Sequence, residues 1–298
     1  MTLGGGNDYR GGTIVTEGIL SISGDQNLGR ASGGLTLDGG TLRTTDAFAT
    51  ARSINLGAGG GTLQTDAELM AIGTLAGEGG LTKTGGGTLT LTGANTYQGG
   101  TRLNAGVLAV SADANLGEAS GALRFNGGGL RTTGAFATAR NIDIEAGGGT
   151  LQTYSDLAAT GIVSGAGALT KTGSATLSLT GENTYSGGTD LKQGRIAVGN
   201  DRALGTGELA MHEGTILLFA ADGLPTNTAC SPATPQARER TGTCAPPAPS
   251  FRPARLLHPS RCPPTEPKCL SSQPCPSSCA RATSRCSATC TSASATTM

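Results

Sequence analysis

One block of this chain recurs at a fixed spacing. Gly93-Ala94-Asn95-Thr96-Tyr97-Gln98-Gly99-Gly100-Thr101 returns 88 positions on as Gly181-Glu182-Asn183-Thr184-Tyr185-Ser186-Gly187-Gly188-Thr189. It also stands 88 positions earlier, as Gly5-Gly6-Asn7-Asp8-Tyr9-Arg10-Gly11-Gly12-Thr13. Leu81-Thr82-Lys83-Thr84-Gly85 comes back in the same register as Leu169-Thr170-Lys171-Thr172-Gly173. Between Gln26–Thr65 and Ala114–Thr153, 28 of 40 positions are identical, with no insertion or deletion. An unbroken internal period confines the fold to like units added along one axis, the solenoid.

Within each period the local signal is β. Runs such as Thr88-Leu89-Thr90-Leu91 alternate polar and apolar with period two, which suits a strand with one buried face. Gly85-Gly86-Gly87, Gly59-Gly60-Gly61 and Gly99-Gly100 separate the runs and read as corners, because glycine takes positive φ without steric cost. Strands are expected at residues 11–15, 18–22, 35–37, 42–44, 54–56 and 63–65. The least β-like part is 69–75, where Ala67-Glu68-Leu69-Met70-Ala71 reads as a helical turn. A meandering sandwich has similar strand spacing, but the unbroken register favours stacked coils. At roughly 20–25 residues per coil, one period supplies about four coils. With strands roughly 4.8 Å apart, the body becomes a rod about 45–50 Å long. The expected inward residues are Leu35, Leu37, Ile54, Leu56, Leu89, Leu91, Leu123, Phe125, Ile142, Ile144, Leu177 and Leu179.

Composition divides the chain in two. All 13 prolines lie at Pro225 or later and all eight cysteines at Cys230 or later, whereas of 50 glycines only Gly242 follows Gly223. The stretch from Met1 to Pro225 carries 13 basic and 19 acidic side chains and the remainder 8 and 2, so the formal charge of zero is a cancellation. The domains are therefore read as 1–224, the repeat body, and 225–298, a disordered basic tail. No run of 18 apolar residues is present. Met1-Thr2-Leu3-Gly4 offers neither a basic nor an apolar region of a secretory signal. Met1 aligns with Leu89, inside a strand, so the repeat is expected to begin upstream.

The repeated block is preceded by Gly79-Gly80-Leu81-Thr82-Lys83-Thr84-Gly85. It is followed by Leu103-Asn104-Ala105-Gly106-Val107-Leu108, or in the next copy by Leu191-Lys192-Gln193-Gly194-Arg195-Ile196. In this order it resembles the passenger-associated repeat of bacterial autotransporters (type V secretion). It spans Gly80–Val110 and Ala168–Val198, with an incomplete copy at Met1–Ile22, in a body reaching about residue 224. The resemblance implies a right-handed parallel β-helix displayed at the cell surface or outer membrane, or secreted. It implies as partners a C-terminal β-barrel translocator and the outer-membrane assembly machinery, and a repeat that helps passenger folding during secretion. The chain departs from that pattern in showing no signal peptide and, after residue 225, no series of alternating barrel strands.

In the tail, Cys275–Cys279 and Cys286–Cys290 have a C-x3-C spacing that suits a disulfide module or zinc. No histidine stands at ligand spacing and no periodicity supports a fold. The abrupt exchange of Gly for Pro and Cys points instead to DNA read out of frame.

The body offers little for chemistry. The glycine runs lack the Gly-Lys-[Ser/Thr] and helix of a phosphate loop. Gly4-Gly5-Gly6-Asn7-Asp8 resembles a calcium-binding Gly/Asp repeat but does not recur every nine residues. Asp38, Asp46, Asp66, Asp113, Asp143, Asp156 and Asp201 form no local pair that would separate acid and base roles. With His212 and His258 as the two histidines and no cysteine in the body, neither a Ser/His triad nor a Cys/His pair is indicated. Tyr9, Tyr97 and Tyr185 share a repeat position, which suggests a tyrosine stack along one side of the rod, either shielding a corner or binding sugars. Asn7, Asn95 and Asn183 lie several coils apart, too far for an amide ladder with one another. The expectation is a structural passenger, not an enzyme, with no catalytic, cofactor or metal residues. It has no nucleic-acid partner and no membrane-spanning segment. The alternatives are an adhesin for host or neighbouring-cell surfaces and a polysaccharide-acting β-helix enzyme.

Overall fold

In the computed structural model the described residues are 1–219 and, for the backbone, Cys230–Pro232. The expected disorder and frame of the tail, its cysteine pairs, the 224/225 boundary and His258 lie outside them. The body is a parallel β-helix with three faces. All of its sheet pairings are parallel. Each joins residues one coil apart in the chain, from the short step of Leu35 to Ile54 to the longer step of Thr13 to Leu35. One face runs through Ile19–Ile22, Thr41–Thr44, Gly61–Thr65, Leu81–Thr84, Thr101–Leu103, Leu123–Phe125, Ile142–Ile144 and Val163–Ser164. The next carries Phe48–Thr50, Leu69–Ala71, Thr88–Leu91, Val107–Val110, Gly129–Thr132, Gly149–Thr153, Leu169–Thr172, Thr189–Leu191 and Leu209–Met211, followed by Cys230–Pro232. The third is split. Thr13–Val15, Leu35–Leu37, Ile54–Leu56 and Leu75–Ala76 form a sheet of four; Phe136–Thr138, Leu157–Ala159, Thr176–Leu179, Arg195–Val198 and Ile216–Phe219 form a sheet of five.

Alternation sets which way each side chain points. Every residue expected to face inward does so; all twelve are at most 2% exposed. The inward rows of the three faces meet in one continuous core, and each coil is covered by the coils above and below, so stability is dominated by contacts within a coil and with its immediate neighbours. The helical turn expected at 67–71 is not formed. Leu69–Ala71 is a strand paired to Phe48–Thr50 and Leu89–Leu91, with Leu69 and Ala71 buried and Met70 outward. Two flanking strands supply a template that overrides the local helical preference of Ala, Glu, Leu and Met.

The pairings also fix how the sequence period maps onto the coil. From Thr13 the third face steps through Leu35, Ile54 and Leu75. It continues to Asn95, whose side chain receives the Leu75 N–H at 2.7 Å. Four coils are then complete, and Thr101, the repeat equivalent of Thr13, lies one face further on, paired to Leu81. The period is therefore four turns plus one face. The expected four coils were short by a third of a turn, and successive repeats are rotated about the axis accordingly. Tyr9, Tyr97 and Tyr185 consequently sit on three different faces, and the tyrosine stack along one side does not exist. Among the described residues no helix is long and apolar enough to cross a membrane.

Candidate functional site

The repeated block lies where regular pairing stops. On the third face the gap between the sheets of four and five is filled by Asn95–Tyr97 and by a 3-10 helix, Asp113–Leu116. A side-chain amide replaces the missing strand there. Asn95 Oδ1 accepts from the Leu75 N–H at 2.7 Å, and its Nδ2 donates to the Asn115 carbonyl at 2.6 Å, so one residue bridges three coils. Asn183 repeats this between Val163 and Ala203, at 2.7 and 2.6 Å. Asn115 in turn receives the N–H groups of Ser111 and Ala112 and donates to the Gly93 carbonyl at 2.9 Å. The asparagines one period apart form no ladder, as expected; the true rungs are Asn95 and Asn115, on adjacent coils.

Two residues after the asparagine, the tyrosine is turned inward. Tyr97 and Tyr185 are fully buried, and their hydroxyls meet Thr101 and Thr189 at 2.6 Å. Each ring covers a glycine of the next coil, Tyr97 over Gly117 and Tyr185 over Gly205. A Cβ on Gly117 would stand 2.8 Å from the ring carbon Cδ2 and 2.5 Å from the Tyr97 carbonyl oxygen, at a φ of +78°. Only glycine satisfies both demands. Burial pushes the Tyr97 hydroxyl up to about 12 and raises that of Tyr185 as well. Neither ring is available to a sugar.

Lys83 and Lys171 also point inward. Lys83 Nζ donates to the carbonyls of Thr84, Gly85 and Ala105 at 2.7, 2.9 and 3.1 Å. Lys171 does the same to Thr172, Gly173 and Gln193. Burial pushes both ammonium groups down to about 8. Between that value and the ordinary 10.5, the unfolded chain binds more protons than the folded one, so stability rises with pH. Above 10 the buried tyrosines reverse the slope, because the unfolded chain ionises its phenols first. Thermal midpoints are therefore expected to climb from pH 8, crest near pH 10 and fall beyond, and Lys83→Met with Lys171→Met should flatten the climb. A midpoint that falls steadily from pH 8 would contradict this arrangement.

Arg52 and Arg140 clamp the loops that carry the 3-10 helices. Arg140 Nε meets Asp113 Oδ1 at 2.9 Å, and its two other nitrogens donate to the carbonyls of Asp113, Gly117, Glu118 and Gly121. Arg52 holds Asp25, Gly29, Arg30 and Gly33 in the same way. The guanidinium matches this fan of acceptors because its donors are fixed in one plane. The recurrence of Phe48-Ala49-Thr50-Ala51-Arg52 as Phe136-Ala137-Thr138-Ala139-Arg140 was the signal that sequence reasoning passed over.

The carboxylates are dispersed. Asp38 accepts from the Gly59 N–H at 2.7 Å, and Asp156 from the Thr176 N–H at 2.8 Å. Asp113 serves the clamp. Asp66 pairs with Arg43 at 2.6 Å, which holds its carboxyl below the usual range. Asp143 lies opposite Arg124 in the ladder, and Asp46 and Asp201 are exposed. Gly59–Gly61 and Gly147–Gly149 form corners, with Gly60 and Gly148 at φ of +72° and +74°. Asn7 of the Gly/Asp-like stretch donates to the Asn27 carbonyl at 2.7 Å. His212 Nε2 lies 2.8 Å from Asp190 Oδ1 on the surface, a pair the sequence did not reveal because its members are a coil apart. Among the described residues no three His, Cys, Asp or Glu side chains converge to hold a metal ion.

The pattern of the passenger-associated-transport repeat matches residues 1–22, 81–110 and 169–198. The chain is similar to the adhesin BmaC autotransporter of Brucella suis biovar 1 (strain 1330), at 40% identity over 126 residues, 42% of this chain and 4% of that protein. It is also similar to an extracellular serine protease of Serratia marcescens, at 47% identity over 78 residues, 25% of this chain and 7% of that protein. The chain thus spans only a small part of either relative. No solved structure matches it.

Proposed function

We propose that the chain is part of an autotransporter passenger and that its role there is structural: a β-helical rod for surface display that aids its own folding during secretion. The observation carrying this reading is the direction of the repeat's distinctive side chains. Asn95, Tyr97 and Lys83, with their copies Asn183, Tyr185 and Lys171, all turn into the coil-to-coil contacts. Asn95 and Tyr97, with Asn183 and Tyr185, make the joint where the strand is missing, while Lys83 and Lys171, in the paired strands Leu81–Thr84 and Leu169–Thr172, hold the carbonyls of the neighbouring corners. A β-barrel translocator and the outer-membrane assembly machinery are the partners this role requires in the intact protein. Residues 225–298 are translated out of frame in this reading, and Cys230–Pro232 merely extends the sheet past Leu209–Met211. In support, no arginine stands between Arg202 and Arg238 to clamp the loop at Asp201 as Arg52 and Arg140 clamp theirs.

Refolding of the purified chain tests the proposal. Asn95→Ala with Asn183→Ala is expected to slow recovery of the native circular-dichroism signal several-fold. Outward changes such as Thr82→Ala should leave it untouched. Refolding of the double variant at the parental rate would remove the folding role. The adhesin reading is kept because one relative bears that name. It predicts that beads coated with the chain bind host cells, whereas the structural reading predicts binding no greater than that of uncoated beads.

A further inference from the structure

We propose that Asn126–Gly127 is a deamidation site closed by the folded corner and open in the unfolded chain. It is the chain's one Asn-Gly pair. In an unfolded segment the Gly127 nitrogen can attack Asn126 Cγ, since glycine offers no side chain to hinder the approach. The new N–C bond closes a five-membered succinimide. The side-chain nitrogen leaves as ammonia, taking the proton lost from Gly127 N. Water then opens the ring at either carbonyl to give Asp or isoAsp.

The corner blocks the first step twice, although Asn126 is exposed. Asn126 Oδ1 accepts from the Gly147 N–H of the next coil at 3.1 Å, which holds the carboxamide across the coils and away from its own following peptide. The attacking nitrogen is engaged as well, its N–H donating to the Gly148 carbonyl at 2.7 Å. Gly127 is at φ +99°. The acid product has a ready template one repeat earlier. Asp38 occupies the equivalent corner, accepts from Gly59 N–H at 2.7 Å, and is followed by Gly39 at φ +98° whose N–H meets the Gly60 carbonyl at 2.7 Å. Asp at 126 therefore keeps the corner, whereas isoAsp lengthens the backbone where the coil turns and breaks its register. The acid fraction at this residue records how long a chain has been unfolded.

The test is peptide mapping of the full chain held at mildly alkaline pH, folded in buffer and unfolded in urea. Acid products should accumulate at Asn126 at least about tenfold faster in the unfolded sample, because reaction in the folded one requires local opening. Asn126 should lead the other asparagines in that sample. Equal rates folded and unfolded, or no lead over the other asparagines, would overturn the proposal. The variant Asn126→Asp separates product tolerance from protection: it should melt within a few degrees of the parent, and failure to fold would remove the claim that the corner accepts the acid.

Discussion

Tyr97→Ala should destabilise the rod by about 3–5 kcal/mol, the range for deleting a fully buried aromatic ring. The ring is 0% exposed and forms the surface on which Gly117 of the next coil rests, so no solvent fills its place without wetting a coil interface. Tyr97→Phe keeps the ring and loses only the bond to Thr101. It should cost about 1–2 kcal/mol, mostly for the hydroxyl left unpaired. Tyr9 provides the internal comparison. It makes the same bond to Thr13 at 2.7 Å but is 36% exposed, so Tyr9→Ala should cost less than half as much. Because each coil touches only its neighbours, the loss should appear first as faster hydrogen exchange at Leu75, Thr96 and Glu118, while distant coils keep their protection. Urea unfolding and exchange measured together check this. A cost below about 1 kcal/mol would mean that the coil closes without the ring.

Arg140→Met should be comparably severe, about 3–5 kcal/mol, because several loop carbonyls lose their only side-chain donor at once; the Asp113 carboxylate, 28% exposed, adds little to that cost. The carbonyls of Gly117, Glu118 and Gly121 would lose their donor together with the Asp113 carboxylate. Arg140→Lys should recover little, because a single ammonium cannot span acceptors arranged for a planar fork. Arg52, at 3% exposure with the same set of partners, is the twin site. The two clamps lie four coils and one face apart, roughly 20 Å along the axis, so their costs should add. Urea midpoints of the two single variants and the double variant provide the check, and strong non-additivity would contradict the neighbour-only coupling of the coils.

The strands were legible because alternation is a local property. Leu35, Leu37, Leu89 and Leu91 announce their buried face in three or four residues. Leu69–Ala71 was not legible, because its strand character comes from the flanking strands at Phe48 and Leu89, which are far away in sequence. The fold class followed from the repeat period, but its geometry did not. Coil length changes from corner to corner, shorter between Leu35 and Ile54 than between Thr13 and Leu35. The remainder of a third of a turn therefore emerges only when all the corners are added. The same remainder explains why the tyrosines looked like a stack and are not one. The asparagine motif was visible, but its work was hidden: Asn95 bonds Leu75 and Asn115, neither of which belongs to the motif. The buried Lys and Arg side chains were hidden for a related reason, since their acceptors are backbone carbonyls that leave no residue-type signature.

The most direct test of the coil geometry is disulfide formation between paired cysteines, in a background where the eight native cysteines are serine. Thr82 and Arg102 lie directly opposite each other on adjacent coils. At a strand spacing of roughly 4.8 Å, cysteines there are within bridging reach. Thr82 and Thr170 are equivalent in the sequence period but stand on different faces, four coils apart. Thr82→Cys with Arg102→Cys should oxidise readily, while Thr82→Cys with Thr170→Cys should stay reduced. A bridge in the second pair, or none in the first, would contradict a helix of four turns and one face per repeat.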